Sequence, residues 1–208
     1  MLNPKQIRML ELLDKKVDKC RECSLHQNGK ITPFWNEFSK YVIISESPTK
    51  SDVRANRPFM GAGSKILRDE LVKAGLSSRD FMIINSVQCI PIYNENSGKP
   101  TVDQLDSCQQ HLRRYIKVVD PEKVLCLGNY AKYIFTGEAQ GVLRQRGVFT
   151  EYDFGGGYTI PAIFTVHPAY CIYNPDGIKY IRDDILKFRD TKFEQRIDWM
   201  FKEEEFLL

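Results

Sequence analysis

Four of the six cysteines in this chain have the types and spacing for thiolate chemistry. Cys20 and Cys23 form a Cys-x-x-Cys pair, while Cys89 and Cys108 stand alone further along. One pair plus two single cysteines can supply four thiolate ligands, and tetrahedral sulfur coordination suits zinc and an iron–sulfur cluster equally. The alternative for Cys89 and Cys108 is ordinary burial, a common fate of free cysteine. Cys126, inside an apolar run, reads as core, and Cys171 reads as packing.

A second set of residues is polar and follows apolar runs. Glu46 comes directly after Tyr41 to Ser45 and can orient a water or stabilise positive charge. Asn85 ends a second run; its amide carries donor and acceptor together and can read a nucleobase edge. His167 precedes Pro168 at the end of a late run, where an imidazole can donate to a developing anion. Phe59, within Pro58 to Gly61, stands ahead of a helical pattern and can stack on a planar base or simply fill core. The other two histidines, His26 and His111, read as surface residues.

The elements that must position these groups follow from periodicity. Asn3 and Pro4 are an N-cap and first-turn proline, and Ile7, Leu10, Leu13 and Val17 repeat at helical spacing, so a helix is expected that carries the chain through 4–25. Short β-rich runs at 41–44, 81–84 and 123–127 are apolar at consecutive positions, as strands covered on both faces are. Helical patterns lie between them at 64–73, from Thr101 to before Pro121, and from Asn129. A hairpin at 147–152 and 158–160, a separate strand at 162–166, and a C-terminal helix and tail over 178–208 complete the reading. Strands alternating with helices predict a three-layer α/β/α sandwich around a mostly parallel four-stranded sheet, in one domain spanning 1–208. In such sheets ligands bind beyond the carboxyl ends of the strands, where Glu46, Asn85 and His167 fall.

Composition sets the outer limits. With 208 residues, 42% of them hydrophobic, global disorder is excluded. No apolar run approaches the ~20 residues that cross a bilayer, and the first residues lack a signal-peptide core, so a cytoplasmic, reducing setting is expected. The net charge of +3 neither demands nor excludes a nucleic-acid partner.

Taken in order, these residues resemble the iron–sulfur (family 4) branch of the uracil-DNA glycosylase superfamily. The resemblance runs from Cys20 to about Asp184 and rests on eight segments: Cys20 to Cys23, Ser45 to Thr49, Pro58 to Gly63, Asn85 to Cys89, Cys108, Leu127-Gly128, Arg146-Gly147 and His167 to Ala169. It implies a base-flipping enzyme that hydrolyses the N-glycosidic bond of uracil, or a related modified pyrimidine, in DNA. In that reading Glu46 and His167 are catalytic, Phe59, Asn85 and Ser47 hold the base, and Pro48, Arg144, Arg146, Tyr170 and Tyr173 contact DNA. Cys20, Cys23, Cys89 and Cys108 would hold a structural 4Fe–4S cluster, with zinc the lesser choice. The partner is DNA, and the protein is expected to act as a monomer.

The chain also departs from the family pattern. The strand-end motif Gly-Glu-Ala-Pro-Gly keeps its glutamate and proline, but both glycines are replaced, by Ser45 and Thr49. Lys50-Ser51-Asp52 stands where an acidic pair is usual, and two basic residues around Cys89 are lost. These changes support an alternative expectation, a glycosylase fold that binds DNA or protein without cleaving.

Overall fold

The computed structural model describes residues 1–93, 96–154 and 157–193. The acidic tail and two glycines of the expected hairpin turn, Gly155 and Gly156, lie outside the described residues.

Helix α1 (Pro4–Asp18) starts as its sequence dictates: the Asn3 side chain accepts from the Gln6 backbone, and the Gln6 side chain accepts from that of Asn3. It ends well short of the expected residue 25. Lys30 Nζ donates to the carbonyls of Val17, Asp18 and Cys20, each at 3.0 Å, so one ammonium takes up the acceptors left free at the helix end. The chain then turns, and Ser24–Gln27 form a separate 3-10 turn.

Then come β1 (Tyr41–Ser45), α2 (Lys50–Ala55), α3 (Gly63–Lys73), β2 (Phe81–Asn85) and a small antiparallel pair, β3 (Ile92–Tyr93) with β4 (Asn96–Ser97). They are followed by α4 (Val102–Val119), β5 (Val124–Leu127), α5 (Gly128–Thr136), α6 (Val142–Gln145), β6 (Phe149–Asp153), β7 (Thr159–Thr165), α7 (Tyr170–Tyr173) and α8 (Gly177–Asp190). The main sheet runs β2-β1-β5-β7-β6; the first four strands are parallel and β6 is antiparallel at the edge.

The sheet therefore has five strands instead of four. The second hairpin arm and the last strand are one element, β7. Pro161 lies where β7 pairs with β6 only, before the pairing with β5 begins at Ala162, so its missing N–H breaks no ladder on the inner side.

Consecutive apolar residues on the strands feed two cores, because neighbouring side chains point to opposite faces. Val42, Ile44, Met82, Ile84, Val124 and Cys126 pack under α1, α4 and α5. Tyr41, Ile43, Phe81, Leu125 and Ile163 pack under α3 and α8. The result is the expected α/β/α sandwich. One buried polar bridge joins the first layer: Asp14 accepts from Tyr115 at 2.6 Å and from Trp35 at 3.1 Å, tying α1 to α4. Among the described residues no helix is long and apolar enough to cross a membrane.

Candidate active site and cysteine cavity

The parallel strands end together, and their ends carry Ser45, Asn85, Gly128 and His167. Ser45 and Asn85 are register partners on β1 and β2. His167 lies just beyond β7, two strands away from β1 in the sheet order. Its Nδ1 accepts the Ala169 backbone N–H at 3.2 Å, which places the ring proton on Nε2. That nitrogen lies 3.2 Å from Ser45 Oγ. Burial pushes the imidazole pKa down to about 4, so the ring is neutral at physiological pH.

The side chain of His167 can lean across β5 because β5 is followed by glycine. A Cβ on Gly128 would sit 2.9 Å from His167 Cβ, and Gly128 has φ +84°, a conformation L side chains rarely adopt. The Leu127-Gly128 segment thus clears the space that the histidine occupies.

Glu46 continues from β1 and is half-buried. Burial raises its pKa above the usual carboxylate range, and the positive charge of Lys99 partly offsets this. The turn that carries it is latched to the loop after β2: the Ser45 carbonyl accepts from the Ser86 N–H and hydroxyl, both at 2.8 Å, and the Glu46 carbonyl accepts from Val87 at 3.3 Å. Asn85 is 4% exposed, and its carboxamide makes no hydrogen bond to any described residue. A buried amide whose donors and acceptor meet no described residue is suited to a ligand.

Ser47 is half-buried and Pro48 buried in the turn before α2. Phe59 has φ +63°, unusual for an aromatic residue. The neighbouring backbone is held from two sides: Met60 N–H donates to Asp52 Oδ1 at 2.6 Å, and Arg68 donates to the Phe59 carbonyl at 2.9 Å. Asp52 Oδ2 in turn accepts from the Thr49 N–H at 2.7 Å and hydroxyl at 2.6 Å. Phe59 lines a cleft with Phe34, Arg57, Leu67, Phe81 and Ile83; Glu46, Asn85 and His167 are not among its walls. The start of α3 packs against the segment that follows the histidine: a Cβ on Gly63 would lie 2.7 Å from the Ala169 nitrogen.

Beyond His167, Tyr170, Ile172 and Tyr173 on α7 form an apolar rim, Tyr173 being 84% exposed. Arg144 is exposed on α6. Arg146, expected to meet phosphate, instead holds an internal partner: its guanidinium grips the fully buried Asp184 carboxylate at 2.8 and 2.7 Å and donates to the Tyr180 carbonyl at 2.9 Å.

The four cysteines converge on one cavity, which Val17, Gln88 and Lys30 also line. Among the described residues no group of three or more His, Cys, Asp or Glu side chains is arranged to hold a metal ion. Burial pushes the Cys89 thiol up to about 11 and the Cys108 thiol to about 12. Four thiols gathered around one cavity fit an iron–sulfur cluster, and would fit zinc as well. Cys126 and Cys171 are buried elsewhere, in the two core layers.

Both histidines read as surface residues belong to this cavity. His111 is 3% exposed, and its Nε2 lies 3.2 Å from Cys20 Sγ; His26 Nδ1 is 2.9 Å from the Cys23 carbonyl. The signal for His111 was its position three residues after Cys108, on one face of α4. Asp52, buried beneath the Phe59 loop, was missed altogether as a positioning group.

The comparisons with known proteins agree with this architecture. The family model described as Uracil DNA glycosylase superfamily matches residues 32–196. A type-4 uracil-DNA glycosylase of Pyrobaculum aerophilum is 31% identical over 199 residues, covering 91% of this chain and 97% of that protein. The protein of the same name from Archaeoglobus fulgidus is 29% identical over 187 residues, covering 86% of this chain and 92% of its own. One from Thermotoga maritima is 28% identical, covering 80% and 84% respectively. The chain belongs to the uracil DNA glycosylase superfamily.

Proposed function

We propose that this protein is a DNA glycosylase that releases uracil, or a closely related pyrimidine, from DNA by hydrolysis and leaves an abasic site. The observation that carries the reading is the neutral His167 whose Nε2–H meets Ser45 Oγ at the carboxyl ends of the parallel strands, the edge at which Asn85 and Glu46 also lie. Breaking the N-glycosidic bond makes the sugar cationic and the base anionic. The Nε2–H of His167 donates to the oxygen on which that negative charge collects. Asn85 supplies paired donor and acceptor to the pyrimidine edge. Glu46, ionised, orients water and offsets the positive sugar. Ser47 borders the base. Phe59 stacks on the base, presented by the loop that Asp52 and Arg68 anchor.

The target nucleotide must leave the stack, at a cost of a few kcal/mol. Pro48, Arg144, Tyr170 and Tyr173 lie on segments that adjoin the strand ends, where an apolar side chain can fill the vacated space. Arg146 serves the fold and stays out of the phosphate contacts. We further propose that Cys20, Cys23, Cys89 and Cys108 hold a 4Fe–4S cluster, whose role is to clamp the end of α1 to the loop after β2 and to α4. Glu46 and His167 perform the hydrolysis without it.

Incubation of the purified protein with uracil-containing oligonucleotides, followed by alkaline cleavage, tests the activity. Strand breaks at uracil are expected. A folded protein that releases neither uracil nor any of a panel of modified pyrimidines would sink the proposal, and tight binding without cleavage would establish the binding-module reading. Bound iron and absorbance near ~400 nm are expected for the cluster; stoichiometric zinc in colourless protein would refute it.

A further inference from the structure

Ser45 occupies a position where the family pattern carries glycine, and its hydroxyl meets the imidazole of His167. It is 5% exposed at the carboxyl end of β1. Its backbone is fixed by the register with Asn85 and by the two bonds from Ser86 to its carbonyl. Its Oγ, 3.2 Å from His167 Nε2, is the only hydrogen-bond partner of that nitrogen among the described residues. Nδ1 is already engaged by the Ala169 N–H, so Nε2 is the donor and Ser45 Oγ the acceptor.

Two restraints on one ring define its orientation. The Ala169 N–H selects the tautomer, but a single bond at Nδ1 leaves the ring free to swing about its other torsion. The Ser45 hydroxyl supplies the second point, and Gly128 supplies the room. At 3.2 Å the contact is long for a hydrogen bond to a hydroxyl, so the Nε2 proton can be shared with an arriving oxygen at little loss.

We propose that Ser45 is a positioning residue for His167: it holds the Nε2–H along the line of strand ends in the free protein, so that the donor is preorganised when a base oxygen arrives. This rests on the glycosylase reading above. Because the anion develops only in the transition state, the loss should fall on the chemical step and not on binding.

The test compares wild-type protein with Ser45→Ala and Ser45→Thr. In Ser45→Ala, kcat should fall roughly ten- to a hundredfold, the range that misplacement of a reacting group produces, with KM within about twofold. Ser45→Thr, which keeps the hydroxyl, should recover most of the rate. Independently of activity, 15N-detected imidazole spectra of the free protein should show a protected Nε2–H on His167 that is lost in Ser45→Ala. Unchanged kcat and unchanged protection in Ser45→Ala would overturn the proposal. So would a uniform fall of kcat, KM and thermal stability in both variants, which marks a packing role. If the wild-type protein releases no base, the glycosylase reading fails, while the imidazole spectra still decide whether Ser45 holds His167.

Discussion

Gly128 and His167 fit together as a hole and its occupant: a Cβ on the first would stand 2.9 Å from the Cβ of the second. Their strands are sheet neighbours, so the contact is set by the β5–β7 register and not by a flexible loop. Gly128→Ala meets two penalties at once, the clash and an L residue at φ +84°. We expect a stability loss of about 1–3 kcal/mol and a fall in uracil release of at least about tenfold, as expected from displacing His167. Thermal melts and single-turnover assays measure the two. Wild-type rates in a folded Gly128→Ala protein would show that His167 is not seated by this contact.

The two proposed catalytic groups titrate in opposite senses from their ordinary values. Glu46 is raised by burial and His167 is lowered to about 4. If the Glu46 carboxylate is needed, the rate climbs with pH through a limb above the usual carboxylate range, and no limb appears near ~6.5, the ordinary histidine value. Lys99 is the cation that holds Glu46 down. Lys99→Met should therefore move the acid limb to higher pH in a rate–pH profile, and an unmoved limb would remove Glu46 as its source.

His167 also ties stability to pH. Its folded pKa is depressed, so between ~6.5 and about 4 the unfolded chain takes up a proton that the native state refuses. Stability should fall as the solution is acidified through that window, whereas the raised pKa of Glu46 acts in the opposite direction. Urea unfolding of wild-type protein and His167→Gln at several pH values isolates the histidine contribution. The difference between the two proteins should shrink as pH drops from ~7 to ~4.

How far the sequence discloses this molecule depends on the range of each interaction. The four parallel strands are legible because they are covered on both faces, so Tyr41 to Ile44 or Val124 to Leu127 read as solid apolar runs. The seam inside β7 is illegible: Pro161 looks like a break until its neighbours in the sheet are known. The end of α1 is hidden in the same way, since Lys30 caps it from 10 or more residues away. The strand-end placement of Glu46, Asn85 and His167 is recoverable from their positions after apolar runs. The environments of His111 and Arg146 are not, because burial against Cys20 and the ion pair with Asp184 are tertiary facts. A charged or titratable side chain carries no local mark of whether it faces solvent or a partner.

Arg144 and Arg146, two residues apart, therefore separate in experiment. Arg146→Ala leaves the Asp184 carboxylate buried and without its main counterion. Breaking such a pair costs about 3–5 kcal/mol, which a denaturation curve would register. Its effect on DNA affinity at temperatures where the variant is folded should be small. Arg144→Ala should leave the melting temperature unchanged and reduce the slope of log affinity against log salt by about 1, the signature of one lost phosphate contact. The reverse pattern would return Arg146 to the DNA interface.

Asp52 gives the sharpest test of how the Phe59 loop is held. One carboxylate oxygen takes the Met60 N–H, and the other takes the N–H and hydroxyl of Thr49, so a single buried side chain joins the cap of α2 to the segment on which Phe59 adopts φ +63°. Asp52→Ala leaves the Met60 and Thr49 donors without their acceptor, at about 1–3 kcal/mol for each one that water cannot reach. The positive φ of Phe59 should then relax. Asp52→Asn keeps one carbonyl acceptor and replaces the other by an NH2 donor, so it can serve Met60 or Thr49 but not both. Uracil release should therefore fall in the order wild type, Asp52→Asn, Asp52→Ala, with KM rising as the stacking ring is lost. A Phe59→Ala substitution made in the Asp52→Ala background should add little, because the first change has already released the ring. If the two losses instead multiply, Phe59 acts independently of its anchor, and the loop's geometry owes nothing to Asp52.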